Sequence, residues 1–216
     1  MTLAFAGNRA HARVARADTP VGDAATAADT EAARLLPAWR AAEYLAARAL
    51  LRRLLAEVAG PAAAVLPIAA DEAGRPHLPD RPDLTISLSH EGDWVAAAVG
   101  LGVDVGVDVQ PPQPASEGLR RRCCTPRARR ALAELPAADR DREFAWIWTV
   151  QEACVKADGT GVAGLPWTVP VEVGQRAGVW GDYRWRRLPD SIGVPASFAY
   201  RGSPDPEEVA TWSSPA

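Results

Sequence analysis

The chain has 216 residues, 48% of them hydrophobic and 24% charged, with a formal charge of -3. That length fits one large domain or two small ones with a sizeable buried core, and the acidic balance argues against a general nucleic-acid binder, which presents a strongly basic surface to phosphates. The three cysteines, Cys123, Cys124 and Cys154, have no metal-ligand spacing and no disulfide pattern, so they suit a reducing cytoplasm. The N-terminal residues hold no apolar run of signal-peptide length, and Arg, Asp or Pro interrupts every stretch before it could cross a bilayer. A soluble, cytoplasmic protein with no membrane or nucleic-acid partner is expected.

Residues 17 to 34, rich in Ala, Asp and Thr, predict a loop or weak helix. The first firm element follows Pro37: a helix over 38 to 59, with Leu50, Leu51, Leu54, Leu55 and Val58 as its apolar stripe and Gly60-Pro61 as its stop. After the turn at Gly74-Arg75-Pro76, residues 84 to 89 alternate as a half-buried strand, 94 to 99 form a second and 103 to 109 a third, reading as an antiparallel meander. On the third strand Val103, Val105, Val107 and Val109 share one face, which puts Asp104, Gly106, Asp108 and Gln110 on the other. Thr125-Pro126 predicts the start of a short helix, and a longer helix is expected over about 139 to 158, stopped by Gly159 and Gly161. Ile147, Val150 and Cys154 line its apolar stripe, with Trp148, Glu152 and Lys156 as the neighbouring row. Further strands are expected over 167 to 173 and around Trp185 and Phe198, with a poorly ordered tail after Gly202.

Asp108 on a strand and Glu152 on a helix that must pack on the sheet are hard oxygen ligands suited to Mg²⁺, and a magnesium held by so few carboxylates completes its octahedron with waters and substrate phosphates. Taken as an arbitrary pair, they are more often solvated surface carboxylates. Glu152 and Lys156 stand i to i+4 on one helix face, a spacing that on its own favours a surface salt bridge of about 0.3 to 0.5 kcal/mol. The apolar context and terminal glycines of WTVQEACVKADGTG favour instead a lysine reaching phosphate. Ser89, His90 and Asp108 do not make a hydrolase triad, because neighbours on a strand point to opposite faces and no G-x-S-x-G elbow surrounds the serine. His90 opens a Gly-containing loop suited to an anion. Arg48, Arg52 and Arg75 are candidate phosphate partners. The cluster Arg120, Arg121, Arg122, Arg127, Arg129 and Arg130 reads equally as a docking face for an acidic protein or as a solvated surface.

The segments Gly74-Arg75-Pro76, ISLSHEGDWVAAAV, VGVDV and WTVQEACVKADGTGV occur in the order and approximate spacing of the 4′-phosphopantetheinyl transferases of the surfactin-synthetase type, and the chain resembles that family over roughly residues 45 to 165. The resemblance implies an α+β fold of two similar α/β halves forming a pseudo-dimer, each an antiparallel sheet packed on a long helix. Residues 1 to 102 would form the N-terminal half with the coenzyme A 3′-phosphate contacts and the Ser-His loop, and 103 to 216 the half carrying the metal strand and catalytic helix. It further implies Mg²⁺-dependent transfer of the phosphopantetheine arm of coenzyme A to a serine of an acyl, aryl or peptidyl carrier protein, releasing 3′,5′-ADP, by a monomer. Carried over, Asp108 and Glu152 resemble magnesium ligands, Glu152 and Lys156 the catalytic pair, and Arg48, Arg75, Ser89, His90, Asp108 and Lys156 coenzyme A contacts. Gln110 stands where relatives usually add an acidic metal ligand, and would offer a neutral oxygen or leave room for water. Gln151 stands where they commonly have a lysine, which implies weaker coenzyme A binding. The rival reading is a divergent homologue that binds coenzyme A or a carrier without transferring.

Overall fold

The computed structural model describes residues 2–18 and 24–202. Two strands that the sequence pattern did not announce come first: β1 (Leu3–Phe5) and β2 (Ala10–Arg16). Two of their four buried positions are alanines and one is His11, too little apolar bulk to give a strong hydrophobic alternation. A short helix α1 (Ala27–Ala33) forms in the expected weak-helix region, fixed by a reciprocal capping box between Thr26 and Asp29. The expected helix follows as α2 (Ala38–Ala59), ended by Gly60 at φ 88°. Two short strands, β3 (Ala69–Ala70) and β4 (Pro76–His77), flank the turn that carries Gly74 and Arg75. Then come β5 (Leu84–Glu91), β6 (Trp94–Leu101) and β7 (Val105–Val109). The second half continues with α3 (Glu117–Cys123), α4 (Pro126–Ala133), α5 (Ala137–Asp158), β8 (Ala177–Trp180), β9 (Tyr183–Arg187) and β10 (Ala196–Arg201). The expected tail after Gly202 lies outside the described residues.

The fold is α+β, with two four-stranded antiparallel sheets in the orders β1-β2-β6-β5 and β7-β10-β9-β8, plus the small β3-β4 pair. Helix α2 covers one sheet: Leu50, Leu51, Leu54 and Leu55 pack against Ile86, Val95, Ala97 and Val99. Helix α5 covers the other, with Ile147, Val150 and Cys154 in a cluster that includes Trp185 and Ala199. The sheet faces turned away from the helices meet in a third apolar cluster, where Ala96 and Ala98 oppose Val105, Val107, Val109 and Phe198. The layers therefore run helix, sheet, sheet, helix.

The meander is corrected at β7. It leaves β6 and pairs antiparallel with β10, placing Val107 opposite Phe198 and Asp108 opposite Ser197. The reason is burial: all five residues of β7 are buried, with the valines filling the cluster between the sheets and Gly106 and Asp108 facing α5. A strand covered on both faces belongs inside the layered stack. The free edge of β7 then faces β5, where the Ser87 hydroxyl accepts the Val107 N–H at 3.1 Å and the Ser89 hydroxyl accepts the Val109 N–H at 3.4 Å.

The strand expected over 167 to 173 is also corrected. A 3-10 turn occupies Pro166–Thr168 and no strand follows it before Ala177. The alternation there is genuine, since Val169 and Val171 are buried. Pro170, however, has no N–H to donate, and the Val169 carbonyl is taken by the Gln151 side chain at 3.0 Å.

Gly106 sets how closely the second helix approaches. A Cβ at this position would overlap the Ala153 carbonyl oxygen and Ala157 nitrogen of α5, so helix and strand backbones touch directly. In Gly106→Ala the new methyl meets backbone that cannot rotate away, and a loss of about 1 to 3 kcal/mol is expected, read as a lowered Tm.

On the N-terminal side, Asp29 is the polar hub. It is 1% exposed, and it accepts from Arg48 Nε at 2.7 Å, from Arg52 Nε, and from Arg52 Nη2 at 3.1 Å. Burial alone would raise its pKa, but the hydrogen bonds from Arg52, the Thr26 backbone and Arg48 outweigh that and hold the carboxyl well below the usual range. Removing one member of a buried pair leaves uncompensated charge, so Asp29→Ala should cost about 3 to 5 kcal/mol in urea unfolding at neutral pH. Because the folded pKa is depressed, this stability is complete above roughly pH 4, where an unfolded aspartate ionises, and is lost as pH falls towards the folded value. The stability gap between the natural chain and Asp29→Asn should thus be flat around neutrality and shrink on acidification below about pH 4. A gap that widens in acid would contradict this origin.

Candidate active site

The contact of α5 with β7 at Gly106 decides which side chains meet. Asp108 is two residues further along the same face of β7, and Glu152 and Lys156 flank Ala153 on α5. Lys156 Nζ donates to Asp108 Oδ1 at 2.6 Å and to the Val107 carbonyl at 3.3 Å. The Ser89 hydroxyl donates to the same Oδ1 at 2.7 Å. The helical spacing of Glu152 and Lys156 therefore does not produce a surface salt bridge between them; the lysine crosses to the strand carboxylate. Glu152 is 8% exposed, and its buried Oε1 has no hydrogen-bond partner. Burial first, and the neighbouring Asp108 charge second, push its pKa above the ordinary glutamate value, with Lys156 partly opposing them.

Beside this cluster a cavity of about 200 Å³ is lined by Gly74, Arg75, Pro76, Lys156, Gly159 and Gly161. Two cations from opposite halves thus face one cleft. Gly159 caps α5 in the left-handed conformation at φ 80°, and its N–H and that of Thr160 return to the Lys156 and Val155 carbonyls. Arg75 lies across Gly159 so closely that a Cβ there would collide with its guanidinium. Arg75 Nη2 also stands 3.7 Å from Asp104 Oδ1. His90, at the end of β5, is half-buried with Nδ1 3.3 Å from Glu43 Oε2 on α2.

Other residues singled out from the sequence make contacts outside this cluster. Arg48 and Arg52 hold Asp29, and Arg52 Nη1 also donates to the Ala64 and Leu66 carbonyls at 2.6 and 3.1 Å. Arg52, 2% exposed, is a structural residue. Gln110 is half-buried, with its amide nitrogen 3.3 Å from the Pro111 carbonyl, and lines a separate apolar cavity with Phe144 and Trp148. Among the described residues no hydrogen bond joins it to Asp108 or Glu152. Gln151 is fully buried and donates to the Cys123 and Val169 carbonyls at 2.7 and 3.0 Å, so it ties α5 to α3. In the arginine cluster, Arg122 stacks 3.7 Å from the Trp167 ring centre, Arg120 caps the Ala115 carbonyl, and Arg121, Arg127 and Arg130 are exposed. The three cysteines are buried free thiols. Sequence reasoning did not single out Glu43 or Ser87, and it put Asp104 and Gly106 on the face of Asp108 without giving them a role; only the Ser-x-Ser of β5 and the glycine inside VGVDV carried a legible signal.

Among the described residues no group of three or more His, Cys, Asp and Glu side chains could hold a metal ion. The donor set available is therefore the pair Asp108 and Glu152, which suits a hard cation that keeps water and takes ligands from a phosphate substrate. The unpartnered buried Oε1 of Glu152, beside a second carboxylate that raises its pKa, fits such a cation. The cleft thus presents an ammonium and a guanidinium together, beside the Asp108–Glu152 carboxylate pair.

Residues 29–100 match the 4′-phosphopantetheinyl transferase N-terminal domain, and residues 102–179 match the 4′-phosphopantetheinyl transferase superfamily. Among similar curated proteins, the 4′-phosphopantetheinyl transferase HetI of Nostoc sp. is 32% identical over 56% of this chain and 54% of its own length. A 4′-phosphopantetheinyl transferase of Bacillus subtilis is 26% identical over 53% of this chain and 50% of its own. The Bacillus subtilis (strain 168) transferase Sfp is 30% identical over 43% of this chain and 41% of its own. The chain thus spans about half the length, or less, of these relatives. The two adjoining family matches take in both long helices and strands β5, β6 and β7, with Asp108, Glu152 and Lys156 inside the second, and the chain belongs to the 4′-phosphopantetheinyl transferase superfamily.

Proposed function

We propose that the chain transfers the 4′-phosphopantetheine arm of coenzyme A to a serine hydroxyl of an apo acyl, aryl or peptidyl carrier protein, releasing 3′,5′-ADP. The single observation that carries this reading is the buried Glu152 carboxylate with an unpartnered Oε1, set beside Asp108, whose Oδ1 Lys156 grips at 2.6 Å. The matched relatives are named 4′-phosphopantetheinyl transferases.

In this reading the serine oxygen attacks the phosphorus that bears pantetheine, forming one P–O bond as the bond to the bridging oxygen breaks. The Glu152 carboxylate takes the serine proton, a task suited to a carboxylate whose pKa is raised by burial. Lys156 has three donors; Asp108 and the Val107 carbonyl use two, which leaves one for the bridging oxygen as charge develops on the departing 3′,5′-ADP. Arg75, on the other wall of the cleft, takes the 3′-phosphate in this reading, with His90 as a further phosphate contact. Arg48, whose Nε is held by Asp29, offers only its Nη atoms to that phosphate. Mg²⁺ held by Asp108 and Glu152, with Gln110 as an outer oxygen donor, would neutralise the pyrophosphate and polarise the phosphorus under attack. A chain of two sheet-and-helix halves already contains the cleft, which favours action as a monomer in the reducing cytoplasm.

The test is to incubate the protein with apo carrier protein, coenzyme A and Mg²⁺ and weigh the carrier by mass spectrometry. A mass gain of one phosphopantetheine is expected, and no gain on acyl, aryl or peptidyl carriers would remove the proposal. Glu152→Gln should lower kcat by about 10²-fold or more, as loss of a general base does, while weakening coenzyme A binding much less. Gln110→Glu should reduce the Mg²⁺ concentration giving half-maximal transfer if an added carboxylate reaches the cation. An unchanged Mg²⁺ requirement would exclude Gln110 from the metal's surroundings.

A further inference from the structure

Two serines on β5 perform the same structural task. Ser87 and Ser89 are 5% and 7% exposed, and each hydroxyl accepts a backbone N–H from the free edge of β7, from Val107 at 3.1 Å and Val109 at 3.4 Å respectively. Together they replace the strand that β7 lacks on that side, and so stitch the two halves at the seam. Only Ser89 does more. Its proton goes to Asp108 Oδ1 at 2.7 Å, the same oxygen that Lys156 holds at 2.6 Å.

A hydroxyl that accepts from a fixed backbone N–H has its own proton directed elsewhere, and here the receiver is the carboxylate. With both donors converging on Oδ1, no hydrogen bond among the described residues engages Oδ2, which is left for another partner. The lysine alone would fix this poorly, since an ammonium on a flexible stem rotates freely among acceptors. The serine is short, buried and anchored on both sides.

We infer that Ser89 is a positioning residue that orients the Asp108 carboxylate for its cation across the seam, rather than a group whose first role is to touch coenzyme A. This rests on the reading of Asp108 and Glu152 as cation ligands. Partners that orient a metal-binding carboxylate typically govern affinity by about 10- to 100-fold, whereas a seam hydrogen bond to a backbone amide affects stability alone. Ser87 is therefore the internal control, because it makes the seam bond and not the carboxylate bond.

The experiment titrates Mn²⁺, followed by the electron paramagnetic resonance signal of the free ion, into the full chain with saturating coenzyme A. Ser89→Ala should weaken Mn²⁺ binding by at least about tenfold, Ser89→Thr should restore it, and Ser87→Ala should stay within about twofold of the natural chain by the same reasoning. Equal weakening in Ser87→Ala and Ser89→Ala would overturn the inference, reducing Ser89 to a seam residue. If the natural chain binds no Mn²⁺ that Asp108→Asn abolishes, the cation reading itself fails, and crystal structures of the two alanine variants then decide. A carboxylate of Asp108 that turns in Ser89→Ala but not in Ser87→Ala supports the positioning role, and one that stays in place in both refutes it.

Discussion

The contact of the α5 backbone with β7 at Gly106 governs the arrangement of everything else in the second half. A helix lying on a sheet is normally held off by the side chains between them. Here the strand offers no Cβ, and the helix descends until the Ala153 carbonyl occupies that space. Asp108, next on the same face, then comes under the turn of helix that carries Glu152 and Lys156. Two carboxylates would not be brought together in a buried place for stability: burial first, and the Asp108 charge second, raise the pKa of Glu152. Lys156 and Ser89 compensate Asp108 with short hydrogen bonds. Glu152 has no equivalent partner for Oε1. That asymmetry is the strongest physical sign that the site is built for something that is not protein.

The second constraint is the seam. Each sheet ends in an edge strand, β5 on one side and β7 on the other, and an unpaired edge is a liability that a fold must cover. Direct strand pairing would have merged the sheets and closed the cleft. Serine hydroxyls standing in for backbone carbonyls let the edges meet while the cleft stays open beside them, with Arg75 on one wall and Lys156 on the other.

Much of this was legible in the chain because its signals are local. The leucine stripe of α2, the glycine stops of both long helices, the alternation of β5 and the apolar run of β6 are each determined by a few adjacent residues, and they sit where the sequence places them. Contacts between distant segments were not legible. The alternation of β7 is the same whether its partner is β6 or β10, and what decides is that both of its faces are buried. Likewise Val169 and Val171 alternate as a strand would, but the absent N–H of Pro170 and the amide of Gln151 claim the segment for α5. Asp108, Glu152 and Lys156 could be named as candidates, yet the cross-pairing of Lys156 with Asp108 rather than Glu152 depends on how closely helix and strand approach.

The arginines make the same point about function. Arg48, Arg52 and Arg75 are equivalent as letters, each a guanidinium matched to phosphate, and the structure separates them by what a ligand would have to displace. Arg52 is buried against Asp29 and two backbone carbonyls, and withdrawing it would leave a carboxylate stranded in an apolar setting. Arg48 shares that carboxylate through Nε. Among the described residues the Arg75 guanidinium has Asp104 as its ion-pair partner at 3.7 Å, in a pair whose members are 29% and 31% exposed, the kind of contact worth at most about 1 kcal/mol. A phosphate dianion entering the cleft competes with a weak, hydrated partner at Arg75 and with the integrity of the N-terminal half at Arg52. The arginine best suited to bind an anion is thus the one that the fold itself needs least.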